Sequence, residues 1–258
     1  MNKIYVITNY KGGVGKTNTG VALACVLHNS GKKVKLIELD NNNESLLFKN
    51  SKVLSQENIK SLKIDKKDEA VADMLFDLMG DPDMNYIVDI GGGDDTYPII
   101  EKLKQVNRPK TWIIPTTKIK KYLANAVATY NEIDDPDNTI FCLNMYSDFS
   151  KITKEFIYFF GDPKIGIKPY SPIFAKSRTI GIPFSHHFEI AADDEQTILD
   201  LAQISIQTTQ AEAEEEFYKA ADGNREKFHK MMMLYWRSQE AAQVFAEIEQ
   251  NCSSELLG

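Results

Sequence analysis

Residues 9–17 read Asn-Tyr-Lys-Gly-Gly-Val-Gly-Lys-Thr and follow the apolar run Ile4-Tyr5-Val6-Ile7. A strand that runs into a glycine-rich turn and then into an apolar helical pattern (Val21, Ala22, Ala24, Cys25, Leu27) restricts the fold more than any other feature of the chain. Gly12, Gly13 and Gly15 carry no side chain, so successive backbone N–H groups can point at phosphate oxygens. A helix that begins near Lys16 adds its positive N-terminal end. At the spacing G-x-x-x-x-G-K-[ST], Lys16 reaches the β- and γ-phosphates of a nucleotide and the Thr17 hydroxyl binds Mg2+. Val14 and Asn18 complete the expected nucleotide-binding stretch. One position departs from the pattern: Tyr10 stands where the first glycine is expected, and a second lysine, Lys11, follows it. A glycine turn with no ligand would leave the lysine and threonine at phosphate-loop spacing unexplained.

Two further strand ends carry carboxylates. Val34-Lys35-Leu36-Ile37 runs into Glu38-Leu39-Asp40-Asn41-Asn42-Asn43, and Tyr86-Ile87-Val88-Asp89-Ile90 runs into Gly91-Gly92-Gly93-Asp94-Asp95. An aspartate that ends an apolar strand suits Mg2+ held through water, because this ion keeps several waters. The first segment alone also reads as a strand end before a polar turn, which Asn and Asp favour. Asp94 and Asp95 read as solvated loop acids or as support for water or metal.

Lys-Gly-Gly-Val-Gly-Lys-Thr resembles the deviant Walker A motif of the ParA/MinD superfamily of ATPases, and the preceding Asn9 fits that pattern. The resemblance is strongest at 9–17, extends to 36–42 and 86–91, and covers roughly residues 1–200. It implies that Lys11 reaches across a dimer to the nucleotide of the other subunit, while Lys16 serves its own. It implies that Asp40 orients the attacking water, senses the γ-phosphate and lies at the metal together with Thr17 and Asp89. Asn144, at the end of Phe141-Cys142-Leu143, becomes a candidate adenine contact, beside the plainer reading of a strand-end turn residue. Tyr170 to Pro183 resembles the family's late Pro-containing loop. The chain departs from the family where Asn41 and Asn42 replace a Pro-Gln pair and where three glycines replace Pro-Pro after Asp89.

The implied function is an ATP-dependent dimerising switch of the ParA type, with ATP and Mg2+ as cofactors and Lys11, Lys16 and Asp40 as catalytic residues. It would hydrolyse ATP slowly, under stimulation by a partner, to partition or position plasmid DNA or another cargo. The expected partners are a second copy when ATP is bound, non-specific DNA, and a cargo adaptor or hydrolysis-activating protein. Alternatives are an accessory ATPase of conjugative plasmid transfer or plasmid stability, and a nucleotide-binding adaptor that hardly hydrolyses.

The 258 residues, 43% of them hydrophobic and 26% charged, suit a soluble α/β globule with a substantial core. Cys25, Cys142 and Cys252 are widely separated, without metal or redox spacing, which favours a reducing cytoplasm and disfavours a metal-cluster carrier. Neither a signal peptide nor a membrane contact is expected. The net charge of −7 does not by itself suggest a nucleic-acid partner. The distribution is uneven: residues 102–178 hold 13 Lys/Arg against 7 Asp/Glu, with Lys118, Lys120 and Lys121 clustered, and Lys168, Lys176 and Arg178 nearby. Such a patch reads as a solvated face or as a salt-sensitive contact to DNA phosphates.

Strand and helix patterns alternate through about residue 200. Strands are expected at 3–8, 33–39, 85–90, 110–115, 139–145 and 164–169. Helices are expected near 16–30, 67–80, 96–106, 119–132, 151–160 and 195–210. This order predicts a three-layer α/β/α fold with a mainly parallel central sheet, a P-loop NTPase, over residues 1–204. From 205 to 258 glycine almost vanishes and Ala, Glu, Gln and Met dominate. This stretch predicts a helical extension, one hairpin or two helices broken at Asp222-Gly223-Asn224, packed on the domain or on a partner. Its expected apolar face is Met231, Met232, Leu234, Tyr235, Val244, Phe245 and Ile248.

Overall fold

The computed structural model describes residues 3–39, 48–63, 67–93 and 96–257. Asp40 to Asn43, Asp94 and Asp95 lie outside the described residues.

The strands are β1 (Ile4–Ile7), β2 (Val34–Leu39), β3 (Ile59–Leu62), β4 (Asn85–Ile90), β5 (Lys110–Thr116), β6 (Thr139–Tyr146) and β7 (Arg178–Pro183). They form one seven-stranded sheet in the order β3-β2-β4-β1-β5-β6-β7, and every pairing is parallel. The central strands are apolar on both faces, as a sheet covered on both sides requires. Tyr5 and Ile7 join one core cluster with α1 (Lys16–Asn29). Ile4 and Val6 join the other, together with α2 (Lys67–Gly80), α3 (Thr96–Lys104) and α4 (Lys120–Ile133).

The strand order reverses at β1, which lies between β4 and β5. In open parallel sheets, ligands bind outside the carboxyl ends of the strands at such a point. The glycine-rich loop leaves β1 there, and Asp89 is the register partner of both Ile7 on β1 and Glu38 on β2. The phosphate-loop motif, β2 and the Asp89 strand end therefore converge on one edge.

Several sequence-based boundaries change. Residues 164–169 form no strand: Pro163–Ile165 is a 3-10 turn, and a lone antiparallel bridge joins Asp162 to Ile167. Gly161 and Gly166 at positive φ curl this stretch back on itself despite its alternating Ile-Gly-Ile pattern. The seventh strand lies further on, inside the expected Pro-containing loop, at Arg178–Pro183, after a 3-10 turn at Pro172–Lys176. The edge strand β3 also lies outside the expected set. The 151–160 helix is two short turns, α5 (Ile152–Glu155) and α6 (Ile157–Phe160).

Beyond β7 come α7 (His187–Asp193), α8 (Ile198–Gln207), α9 (Gln210–Ala221) and α10 (Arg225–Leu257). The single helix expected at 195–210 is thus α8 and the entry to α9. Thr197–Asp200 and Thr209–Glu212 capping boxes start the two helices, each satisfying N-terminal N–H groups that would otherwise lack partners. Asp222 and Gly223 at positive φ end α9. The buried stripe of α10 runs Met232, Tyr235, Ser238, Ala241, Phe245, Ile248, Cys252, Leu256, three to four residues apart as one helix face demands. Leu234, expected on that face, is 48% exposed. From Ala241 onward the stripe belongs to the same core as Tyr5 and Ile7, and the Tyr5 hydroxyl donates to the Leu256 carbonyl at 2.8 Å. Met232 and Tyr235 instead form a small cluster with Ala213 of α9.

Candidate functional site

Tyr10 is tolerated where a glycine was expected because it does not need positive φ, whereas Gly13 (74°) and Gly15 (82°) do adopt it. The Tyr10 backbone links three elements. Its N–H donates to Thr129 Oγ1 of α4 at 3.4 Å, and its carbonyl accepts the Gly93 N–H at 3.2 Å. Asn9, fully buried, donates from Nδ2 to the Pro115 carbonyl of β5 at 2.8 Å and accepts the Lys11 N–H at 2.9 Å. The loop is therefore fixed at its entry from both sides.

Gly15 is the N-cap of α1, where no side chain caps the helix and no acid lies in the first turn. Such an end leaves N–H groups available to an anion. Lys16 is half-buried and its Nζ donates to the Lys11 carbonyl at 3.3 Å, while Lys11 itself is exposed. The Thr17 hydroxyl donates to Asp89 Oδ2 at 3.0 Å. A hydroxyl and a carboxylate so placed fit a hard divalent cation, which takes oxygen ligands. Thr17 and Asp89 are thus brought together; Asp40 lies outside the described residues.

The glycine run after β4 packs on the phosphate loop. A Cβ on Gly92 would lie 3.1 Å from the Gly12 nitrogen and 3.2 Å from both Lys16 Nζ and the Tyr10 carbonyl oxygen. Gly91 N–H donates to the Leu39 carbonyl of β2 at 2.7 Å, and the Thr96 hydroxyl donates to the Gly91 carbonyl at 2.9 Å. The segment after Asp89 is coupled in this way to the phosphate loop and to the end of β2.

Asn144 is buried beneath the loop. Its Nδ2 lies within donating distance of the Val14 carbonyl (2.8 Å), the Thr19 hydroxyl (2.9 Å) and the Gly15 carbonyl (3.3 Å). Its Oδ1 accepts from Cys142 Sγ at 3.0 Å. Thr19 Oγ1 donates in turn to the Gly15 carbonyl at 2.8 Å. Asn144 also borders a small cavity of about 90 Å³ with Asn18, Met145, Ile182, Pro183 and Phe184. Thr19 and the role of Ile182, Pro183 and Phe184 as cavity walls were not singled out from the sequence. Gly181-Ile182-Pro183-Phe184 was the available signal, but its strand was hidden by the glycine and proline.

Burial holds Cys142 well above the ordinary thiol range and pushes Cys25 and Cys252 up to about 12. All three thiols are buried and free. Of the basic residues of the central region, Lys118 pairs with Glu155 at 2.9 Å and Arg178 with Glu255 at 3.3 Å. Lys120 lies 5.4 Å from the Tyr158 ring centroid, and Lys121, Lys168 and Lys176 are exposed. No helix among the described residues is long and apolar enough to cross a membrane.

A family model described as an AAA domain matches residues 2–88. The sporulation initiation inhibitor protein Soj of Bacillus subtilis (strain 168) is 55% identical over 40 residues, a match spanning 16% of this chain and 16% of Soj. Among solved structures, the septum site-determining protein MinD of Pyrococcus horikoshii OT3, complexed with Mg-ADP, superposes with a TM-score of 0.57 at 14% identity, covering 100% of this chain and 98% of that one. The MinD cell division protein of Aquifex aeolicus superposes with a TM-score of 0.51 at 17% identity, covering 77% of this chain and 89% of that one. At such identities the structural likeness establishes the fold, a P-loop NTPase-like parallel sheet with flanking helices.

Proposed function

We propose that this chain is a P-loop ATPase of the ParA/MinD type, an ATP-dependent dimerising switch that hydrolyses ATP to ADP and phosphate and uses the cycle to partition or position plasmid DNA or another cargo. The contrast between its two lysines carries this reading. Lys16 is half-buried and turned onto its own loop, whereas Lys11 is exposed beyond a backbone pinned by Asn9 and by Lys16 Nζ. A pinned backbone with a solvent-facing cation suits a charge offered to a second subunit.

Phosphoryl transfer depends mainly on positioning and charge stabilisation. Gly12, Gly13, Val14 and Gly15 would present backbone N–H groups to the phosphates, with Lys16 and the first turn of α1, including Asn18, completing the cradle. Thr17 and Asp89 would hold Mg2+, which supplies charge neutralisation when bound. Asp40 would orient the attacking water. Lys11 of a second copy would add positive charge where negative charge develops. The cavity bordered by Asn144 and Phe184 would take the base, with Asn144 at its floor.

Turnover compared between the natural chain and Asp40→Ala tests hydrolysis, and equal rates would remove the switch in favour of a nucleotide-binding adaptor. Retention on DNA with ATP across a salt series tests the cargo. Non-specific phosphate contacts predict retention at low salt that falls steeply as salt rises. No retention at low salt would favour a role without DNA.

A further inference from the structure

His186, His187 and Glu240 lie away from the phosphate loop, and the function proposed above does not use them. Their ligand atoms all fall within 4.8 Å of one another. His187 is 5% exposed, at the start of α7, and its Nε2 lies 3.1 Å from Glu240 Oε2 on α10. On the other side of the ring, Nδ1 lies 3.1 Å from Ser185 Oγ, which also accepts the His187 N–H at 3.2 Å. The His186 ring lies beside it, tilted by 37°, with centroids 4.2 Å apart.

We propose that these three side chains form a binding site for a borderline transition-metal dication such as Zn2+ or Co2+. Two imidazoles and a carboxylate are the donors such ions take, with a fourth position left to water. An imidazole nitrogen and a carboxylate oxygen 3.1 Å apart require a proton or a cation between them. Donors about 2.0–2.1 Å from a tetrahedral ion sit about 3.3 Å from one another, so the His187–Glu240 pair already stands at ligand spacing. His186 and Glu240 are exposed and can adjust to close the third side. Ser185 provides the outer contact that ligating histidines ordinarily make through their second nitrogen: with Nδ1–H donated to Ser185, the Nε2 lone pair faces Glu240.

The position gives the site a mechanical consequence. Ser185 and Phe184 belong to the turn between β7 and α7 that walls the cavity beside the phosphate loop, and Glu240 belongs to the long C-terminal helix. An ion here fastens that turn to α10. Any effect on nucleotide affinity rests on reading the cavity as the base pocket; ion binding does not.

The test uses the full chain, untagged, stripped with chelator and free of nucleotide. Co2+ is titrated while d–d absorption is followed, and Zn2+ is then added in competition. The expected result is one Co2+ per chain with a four-coordinate spectrum, displaced by Zn2+. His186→Ala and Glu240→Gln should each weaken binding about tenfold or more, while His229→Ala leaves it unchanged. Both ligand variants alter exposed side chains, so their metal-free melting temperatures should match the natural chain and separate lost ligation from misfolding. Absence of the four-coordinate band, or a ligand variant that binds Co2+ as tightly as the natural chain, would overturn the site and leave a His187–Glu240 hydrogen bond. Neither outcome depends on ATP binding or hydrolysis.

Discussion

Asn144 Nδ2 lies 2.8 Å from the Val14 carbonyl oxygen, which places a β6 side chain directly under the phosphate loop. The same nitrogen is within 2.9 Å of the Thr19 hydroxyl, so one amide joins the loop, the first turn of α1 and the sheet. Asn144→Ala leaves these buried acceptors short of a donor. It should cost about 1–3 kcal/mol in urea unfolding. It should also weaken nucleotide binding by more than the stability loss alone explains, because the loop loses its floor. Calorimetric titration with ADP at a temperature where the variant is fully folded checks the second part.

Gly92 and the phosphate loop are packed so closely that an added methyl group has nowhere to go except against backbone and Lys16 Nζ. Gly92→Ala should lower the melting temperature only modestly, since each neighbour need give by only a few tenths of an ångström. It should lower ATP turnover about tenfold or more through misplacement of Lys16. Circular dichroism melting and steady-state turnover, measured on the same preparation, check this pair of effects.

The C-terminal helix divides energetically along its length. Phe245 is 3% exposed and sits in the main core, whereas Trp236 is 47% exposed. Phe245→Ala should destabilise by about 3–5 kcal/mol, and Trp236→Ala by no more than about 0.5 kcal/mol. Denaturant midpoints of the two variants check whether the end of α10 is part of the P-loop fold.

The three thiols should be silent at neutral pH. Burial holds Cys25 and Cys252 near 12, up from 9.0, so the native thiols stay protonated and shielded. A thiol reagent at pH 8 should modify none of them until denaturant is added. The sign of the linkage follows: the raised folded values favour the protonated form, so this stabilisation is complete below about pH 9 and is lost as pH rises through about 12. Unfolding midpoints measured upward from pH 8 should decline over that interval.

The phosphate loop and its supporting strands were legible because local chemistry dictates them. Three glycines, a lysine and a threonine at fixed spacing leave few alternatives, and Asp89 follows an apolar strand that must be central. Long-range packing was not legible. The contacts of Asn144 to Val14 and Thr19 were hidden, because nothing in Phe141-Cys142-Leu143-Asn144 reveals what stands above it. Arg178–Pro183 was hidden because Gly181 and Pro183 read as loop residues. An edge strand tolerates both, since one side has no ladder to satisfy. Lys164 to Pro169 misled for the opposite reason: its alternation suggested a strand, while glycine φ angles and flanking prolines closed a turn. In α10 the apolar composition was visible, but the buried face at Tyr235, Ala241, Phe245 and Ile248 was set by which side meets α8 and the sheet.

The account turns on the division of labour between Lys11 and Lys16. Light scattering on Asp40→Ala, with and without ATP–Mg2+, measures it most directly when compared with the same chain carrying Lys11→Ala. The account predicts a dimer with ATP, a monomer without it, and a shift back toward monomer when Lys11 is removed, even though Lys16 still binds nucleotide. A monomer under every condition, or a dimer indifferent to both ATP and Lys11, would contradict it.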